Sequence, residues 1–162
     1  FHSGKALYLE TPEPKLDQSS TYQALQELQM FLEYYPTSNM KREAQDMMLE
    51  LQDKLVVKEY LSARLYYNLG TYLGNNYKSC VITAENALLD YPYTTHREKL
   101  SFLILKAKYE MAENSVEEKK MDRYRETIDE YYAFINEFPE SKHIKEAEKI
   151  FKDSSKEVTI EE

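Results

Sequence analysis

The chain has no tryptophan, a single cysteine, three glycines and five prolines among its 162 residues. Glycine and proline are the residues that most disrupt helix interiors, so their scarcity predicts long helices with few breaks and an all-α class. One cysteine, Cys80, excludes an intrachain disulfide and leaves the redox compartment open. Apolar runs are short, as in Phe102-Leu103-Ile104-Leu105, far below the roughly 20 residues that cross a bilayer. No leader pattern opens the chain and Phe1 is no initiator, so an internal or processed piece is expected, its targeting segment lying elsewhere.

Positive charge is also in deficit. Twenty-one Lys and Arg face 29 Asp and Glu, and a net charge of -8 repels a phosphate backbone, so nucleic acid is not an expected partner. The three histidines, His2, His96 and His143, have no metal-ligand spacing, and no metal is expected. His96 and His143 each stand four after a proline, where a solvated place in a first helical turn is expected. There is no Gly-rich phosphate loop, no Gly-x-Ser-x-Gly elbow and no cysteine with a catalytic neighbourhood. Acid pairs such as Glu117-Glu118 and Asp129-Glu130 read as solvated helix faces. No catalytic residue, cofactor or enzymatic activity is therefore expected.

What the sequence does have is a repeat. Tyr34-Tyr35-Pro36-Thr37-Ser38, Asp90-Tyr91-Pro92-Tyr93-Thr94 and Glu137-Phe138-Pro139-Glu140-Ser141 are three copies of one element. Each places an aromatic residue before proline and a hydroxyl residue two after it, which suits a helix stop followed by the cap of the next helix. Four before the prolines stand Leu32, Leu88 and Ile135, eleven before stand Leu25, Val81 and Ile128, and twelve before stand the small residues Ala24, Cys80 and Thr127. Eight after come Ala44, Leu100 and Ala147, and eleven after come Met47, Leu103 and Ile150. These spacings are helical, so each proline joins two amphipathic helices that must stack on neighbours to bury their stripes.

The expected architecture is a tetratricopeptide-like helical-hairpin superhelix over residues 1–162, with units around Pro36, Pro92 and Pro139. The prolines are 56 and 47 residues apart, longer than the roughly 34 of a standard unit. Met40 to Leu69 lacks Gly and Pro, which predicts one long connecting helix of about 50 Å if it reaches Leu73. Gly70 and Gly74 with Asn75-Asn76 should end it and open a helix from about Tyr77 to Tyr91. Thr95 with Glu98, and Ser115 with Glu118, have capping-box spacing. The helix after Pro92 should run to about Asn114, and the next should start between Val116 and Asp122 and end at Phe138. A last helix is expected from about Ser141 to Lys156 with a frayed tail from Glu157 to Glu162, and an irregular loop from Glu10 to Ser20 around Pro12 and Pro14.

The chain keeps the Leu69-Gly70 pair, the small-residue column and the closing prolines of tetratricopeptide repeats, and lacks their tryptophans. A more specific ordered string runs through Leu16-Asp17-Gln18, Glu27-Leu28-Gln29-x-Phe31, Tyr35-Pro36-x-Ser38, Ala63-x-Leu65-Tyr66-Tyr67 and Tyr109-x-x-Ala112-Glu113-Asn114-Ser115. It continues in Tyr131-Tyr132-x-Phe134-Ile135 and Phe138-Pro139-Glu140-Ser141-Lys142. In this order it resembles the C-terminal part of the BamD family of Bacteroidetes type. Gly70 to Tyr77 is longer than that family's short Gly-x-Tyr turn. The resemblance implies a periplasmic outer-membrane lipoprotein of the β-barrel assembly machinery that binds POTRA domains of BamA and other subunits, and helps nascent outer-membrane proteins. It also implies a lipid anchor and earlier repeats outside this chain, since Cys80 is internal.

Partner contacts are expected at Arg97 and Lys99, because BamD-like proteins bind BamA through their C-terminal repeats, and at the basic cluster Lys119, Lys120 and Arg123, with Arg125 beside it. Tyr93 and Tyr132 are the tyrosines expected to be exposed for binding, whereas Tyr35 and Tyr91 are expected to pack. The competing expectation is an unrelated tetratricopeptide adaptor that takes a peptide tail in its concave groove.

Overall fold

A computed structural model describes residues 1–11 and 18–161. It is 80% helical, with seven helices and no strand among the described residues. They are α1 (His2–Leu9), α2 (Ser19–Tyr34), α3 (Lys41–Leu69), α4 (Asn76–Asp90), α5 (Arg97–Glu113), α6 (Glu117–Glu137) and α7 (Ile144–Glu161). The fold is all-α and tetratricopeptide-like, with α3, 29 residues long, as the connecting helix. Pro12 to Asp17, with the expected proline loop and the start of the resemblance string, lie outside the described residues.

The chain forms two compact units, one of residues Phe1–Leu61 with Tyr93–His96 and one of Ser62–Pro92 with Arg97–Glu162. Helix α3 gives residues to both.

The three proline turns have one geometry. The residue before each proline leaves the helical region, as proline's ring requires: φ and ψ are -130° and 61° at Tyr35, -130° and 66° at Tyr91, and -126° and 63° at Phe138. Each still donates its N–H four residues back, to Phe31, Ala87 and Phe134 respectively. The hydroxyls of Ser38, Thr94 and Ser141 then accept the N–H groups of Met40, His96 and His143 at 3.1, 3.2 and 3.0 Å. Each hydroxyl thus satisfies an amide just ahead of the next helix, whose first amides have no carbonyl behind them.

In the first unit Ala24, Leu28, Ala44, Met47 and Leu51 form the core between α2 and α3, with Phe1 and, from α1, Leu7 and Tyr8 packed against it. Helix α1 approaches closely because residue 4 is glycine; a Cβ there would lie 2.9 Å from Leu28 Cδ2. No element before Glu10 was expected from the sequence, since α1 carries no side-chain cap and no proline turn. In the second unit Phe102, Leu105, Tyr131, Phe134, Ala147 and Ile150 form the core of α5, α6 and α7. The small-residue column Ala24, Cys80 and Thr127 is fully buried, as are Ala44, Leu100 and Ala147. Leu32, Leu88 and Ile135 are half-buried at the edges of these cores.

Helix α3 stops at Leu69, short of Leu73, because Gly70 takes a left-handed φ of 57° that closes the helix, and Asn76 N–H returns to the Gly70 carbonyl at 2.9 Å. Asn75 then caps α4 by accepting Lys78 N–H.

Neither expected capping box forms. Thr95 donates its hydroxyl to Asp53 in α3 at 3.0 Å, so Thr94 is the residue that serves the backbone. Ser115 turns back to the Met111 carbonyl and accepts from Arg123, leaving Val116 to begin α6 with no side-chain cap. Helix α7 starts three residues later than expected and runs on to Glu161, so residues 157–161 continue the helix. Tyr35 does not pack inward; it is 62% exposed and touches only the ring of Phe31 among the aromatic contacts. His143 is not simply solvated, because its ring stacks on Phe102 at 4.2 Å and 9°.

Candidate functional site

Within the second unit, the last turn of α3 and the inward faces of α5 and α7 enclose a cavity of about 180 Å³. Tyr67, Lys106, Tyr109, Glu110, Glu146, Lys149, Ile150 and Asp153 line it. On α5 the spacing of Lys106, Tyr109 and Glu110 puts all three on one face, and on α7 Glu146, Lys149, Ile150 and Asp153 do the same.

The electrostatics favour neutral phenols and a poorly solvated carboxylate. Burial, with the nearby charge of Glu110, pushes Tyr67 up to about 12. Burial and the carboxylates Glu113 and Asp153 raise Tyr109, whose hydroxyl lies 3.3 Å from Asp153 Oδ2 and donates to it. Burial, then the charge of Glu113, raises Glu110 itself. Lys106 extends its ammonium over two rings, 5.0 Å from the centre of Tyr67 and 5.1 Å from that of Phe102. Tyr67 in turn meets Tyr77 edge-on at 5.6 Å. At neutral pH the phenols keep their protons, so the lining offers hydroxyl donors. The Cys80 thiol is buried and pushed up to about 12 by that burial, against the opposing charge of Lys106, so it stays protonated.

The residues singled out in the sequence fall elsewhere. Arg97 is engaged within the chain: its guanidinium makes a two-pronged ion pair with Glu137 of α6, one arm 3.1 Å long, and donates to the Pro92 carbonyl at 3.2 Å. It ties the Pro92 turn to the C-terminal end of α6. Lys99 is exposed in the first turn of α5. Lys119 is exposed, Lys120 lies 3.7 Å from Glu117, and Arg123 donates to Ser115, so the basic cluster fills the first two turns of α6. Eighteen residues separate Lys119 from Glu137, about 27 Å along the helix, so Arg97 and the cluster sit at opposite ends of α6. Tyr132 is 48% exposed, with its ring edge against Tyr131 and Phe151. Tyr93, in the first unit, is 91% exposed at the tip of its turn.

The cavity was not anticipated as a site, although Tyr67 and Tyr109 both fall inside the resemblance string. Their spacing from the prolines differs from any column of the repeat, so periodicity alone gave no signal. A family of known proteins described as YfiO, outer membrane lipoprotein, matches residues 2–75, somewhat under half of the chain. The match covers α1, α2, α3 and the Gly70–Gly74 turn, and supports a relationship to that family. No curated protein matches the chain.

Proposed function

We propose that the chain is a non-enzymatic scaffold subunit of the β-barrel assembly machinery at the periplasmic face of the outer membrane. It would correspond to the C-terminal part of a BamD-like protein of Bacteroidetes type, its repeats binding POTRA domains of BamA and other subunits and assisting nascent outer-membrane proteins. The observation that carries this is the match of residues 2–75 to a family of outer membrane lipoproteins, on helices arranged in proline-turn hairpins. Among the described residues no helix is long and apolar enough to cross a membrane. The one cysteine, Cys80, is buried in α4.

Contact with POTRA domains is assigned to the exposed side chains Tyr93, Lys99, Lys119 and Tyr132, with Lys120 and Arg123 next to Lys119 on α6. Arg97 takes part by holding the Pro92 turn in place. The test is calorimetry of the purified chain with the POTRA domains of the same organism. Association in the low micromolar range, weakened by Lys119→Glu, is expected; no heat at high micromolar concentration overturns the proposal.

A second reading, an adaptor for a peptide tail, is favoured by the cavity between Tyr67 and Tyr109. It predicts that a peptide blocks the cavity and that Tyr67→Ala abolishes binding, a substitution the POTRA reading leaves without effect.

A further inference from the structure

The first unit contains a wide groove whose counterpart within the second unit is filled by helix α6. About 800 Å³ of open space lies along the end of α2 and the first three turns of α3, against Leu32, Lys41, Arg42, Gln45, Met48 and Leu49. Counted from Pro36, Leu32, Lys41, Gln45 and Met48 stand four before and five, nine and twelve after. The same positions around Pro92 are Leu88, Arg97, Ser101 and Ile104, and in the second unit these four face Glu130, Ala133, Phe134 and Glu137 of α6 across a cleft of about 220 Å³. Phe134 is buried there at 2%, Glu137 pairs with Arg97, and Glu130 pairs with Lys108 at 2.8 Å.

In the first unit the following turn meets the long helix further along than in the second. In the second unit His143 of the Pro139 turn stacks on Phe102, ten after Pro92. In the first unit Thr94 and Thr95 bond to Asp53, seventeen after Pro36, at 2.8 and 3.0 Å. Position ten in α3 is Asp46, and it lines the groove. Seven residues are about two helical turns, so the turn contact is moved along α3 without changing face.

We infer that this groove is a docking site for one amphipathic helix of a partner protein, carrying an aromatic residue with a carboxylate a turn away on either side. The chemistry is that of the face α6 presents to the equivalent positions. Lys41 occupies the place of Arg97, and Arg42 that of Glu98, which does not line the filled cleft, so the vacant groove carries two cations where α4 and α5 give its filled counterpart Arg97 and Glu85. Asp46 is the single carboxylate opposing them in the lining. An acidic partner helix therefore finds both its apolar seat, on Leu32, Met48 and Leu49, and its counter-charge. The site lies in the unit that holds most of the lipoprotein-family match, but it does not depend on POTRA binding, which is measured separately.

The probe is a fluorescein-labelled, hydrocarbon-stapled helix bearing Glu-x-x-Ala-Phe-x-x-Glu, the spacing of Glu130, Ala133, Phe134 and Glu137, titrated by anisotropy. Saturable binding is expected, weakened about tenfold by Lys41→Glu at an exposed position that leaves helicity unchanged. Lys41→Glu should in turn favour a probe with lysines in place of both glutamates. Leu49→Glu should remove binding altogether. The inference is overturned by absence of saturable binding, by binding indifferent to both substitutions, or by sedimentation of the chain as a dimer, which would make a second copy the occupant.

Discussion

The hairpin of α2 and α3 and the hairpin of α4 and α5 share a turn down to the backbone angles, yet they end in different surfaces. Both stop at an aromatic residue near φ -130° and restart from a hydroxyl-bonded amide. Beyond the turn, α5 is covered so thoroughly that Leu100 and then the unbroken run Phe102, Leu103, Ile104 and Leu105 are buried, whereas the matching stretch of α3 buries only Ala44, Met47 and Leu51 as a single stripe. A helix buried on all sides has consecutive apolar residues, and one buried on a single side shows a stripe. Local sequence therefore makes the turn, and the number of neighbours decides what the next helix needs.

The sharpest way to break this comparison is at position thirteen after the proline. Leu105 is fully buried, and Leu105→Ala should cost roughly 2–5 kcal/mol in urea unfolding. Its counterpart Leu49 is 56% exposed, and Leu49→Ala should stay within about 0.5 kcal/mol. Equal losses at the two positions would mean that the groove on α3 is closed in solution.

Next come the turn hydroxyls. Thr94 both accepts His96 N–H and donates to Asp53, while Ser38, among the described residues, serves only the Met40 amide. Thr94→Ala should lose about 1–2 kcal/mol and Ser38→Ala about 0.5–1 kcal/mol by the same measurement. A smaller effect is expected at position five. Arg97→Ala removes an ion pair whose side chains are 36% and 41% exposed, so no more than about 1 kcal/mol is at stake, and Lys41→Ala should be neutral.

The smallest signal is in the alkaline limb. Tyr67 titrates near 10 when unfolded and at about 12 when folded, so below pH 10 it is neutral in both states and costs nothing. As pH rises through that window the unfolded chain loses the proton first, and stability falls. Tyr67→Phe should flatten the decline in unfolding midpoint between pH 10 and 12, and an unchanged decline would place the phenol in water.

Much of the fold was legible because prolines and helical spacing act within a few residues. Pro36, Pro92 and Pro139 marked all three hairpins, and the columns at Ala24, Cys80 and Thr127 and at Ala44, Leu100 and Ala147 marked the buried stripes. The capping boxes were misread at Thr95 and Ser115 because their hydroxyls have better partners, Asp53 in a distant helix and the Met111 carbonyl. Arg97 read as a cation available for a partner, and its engagement with Glu137 depends on a residue forty positions further along the chain. The Tyr67 and Tyr109 cavity was invisible for the same reason: its walls come from three helices, and only folding brings them together.

The meeting of the Thr94–Thr95 turn with Asp53 has a consequence for how such a chain tolerates change in length. An α-helix advances about 100° per residue, so seven added residues return a side chain to within about 20° of its starting direction, while one or two point it away. Helix α3 is thus a graduated ruler. Insertions of about seven residues between Met47 and Asp53 should slide the contact and widen the vacant groove while keeping the hydroxyls facing their carboxylate, and insertions of one or two should uncouple them.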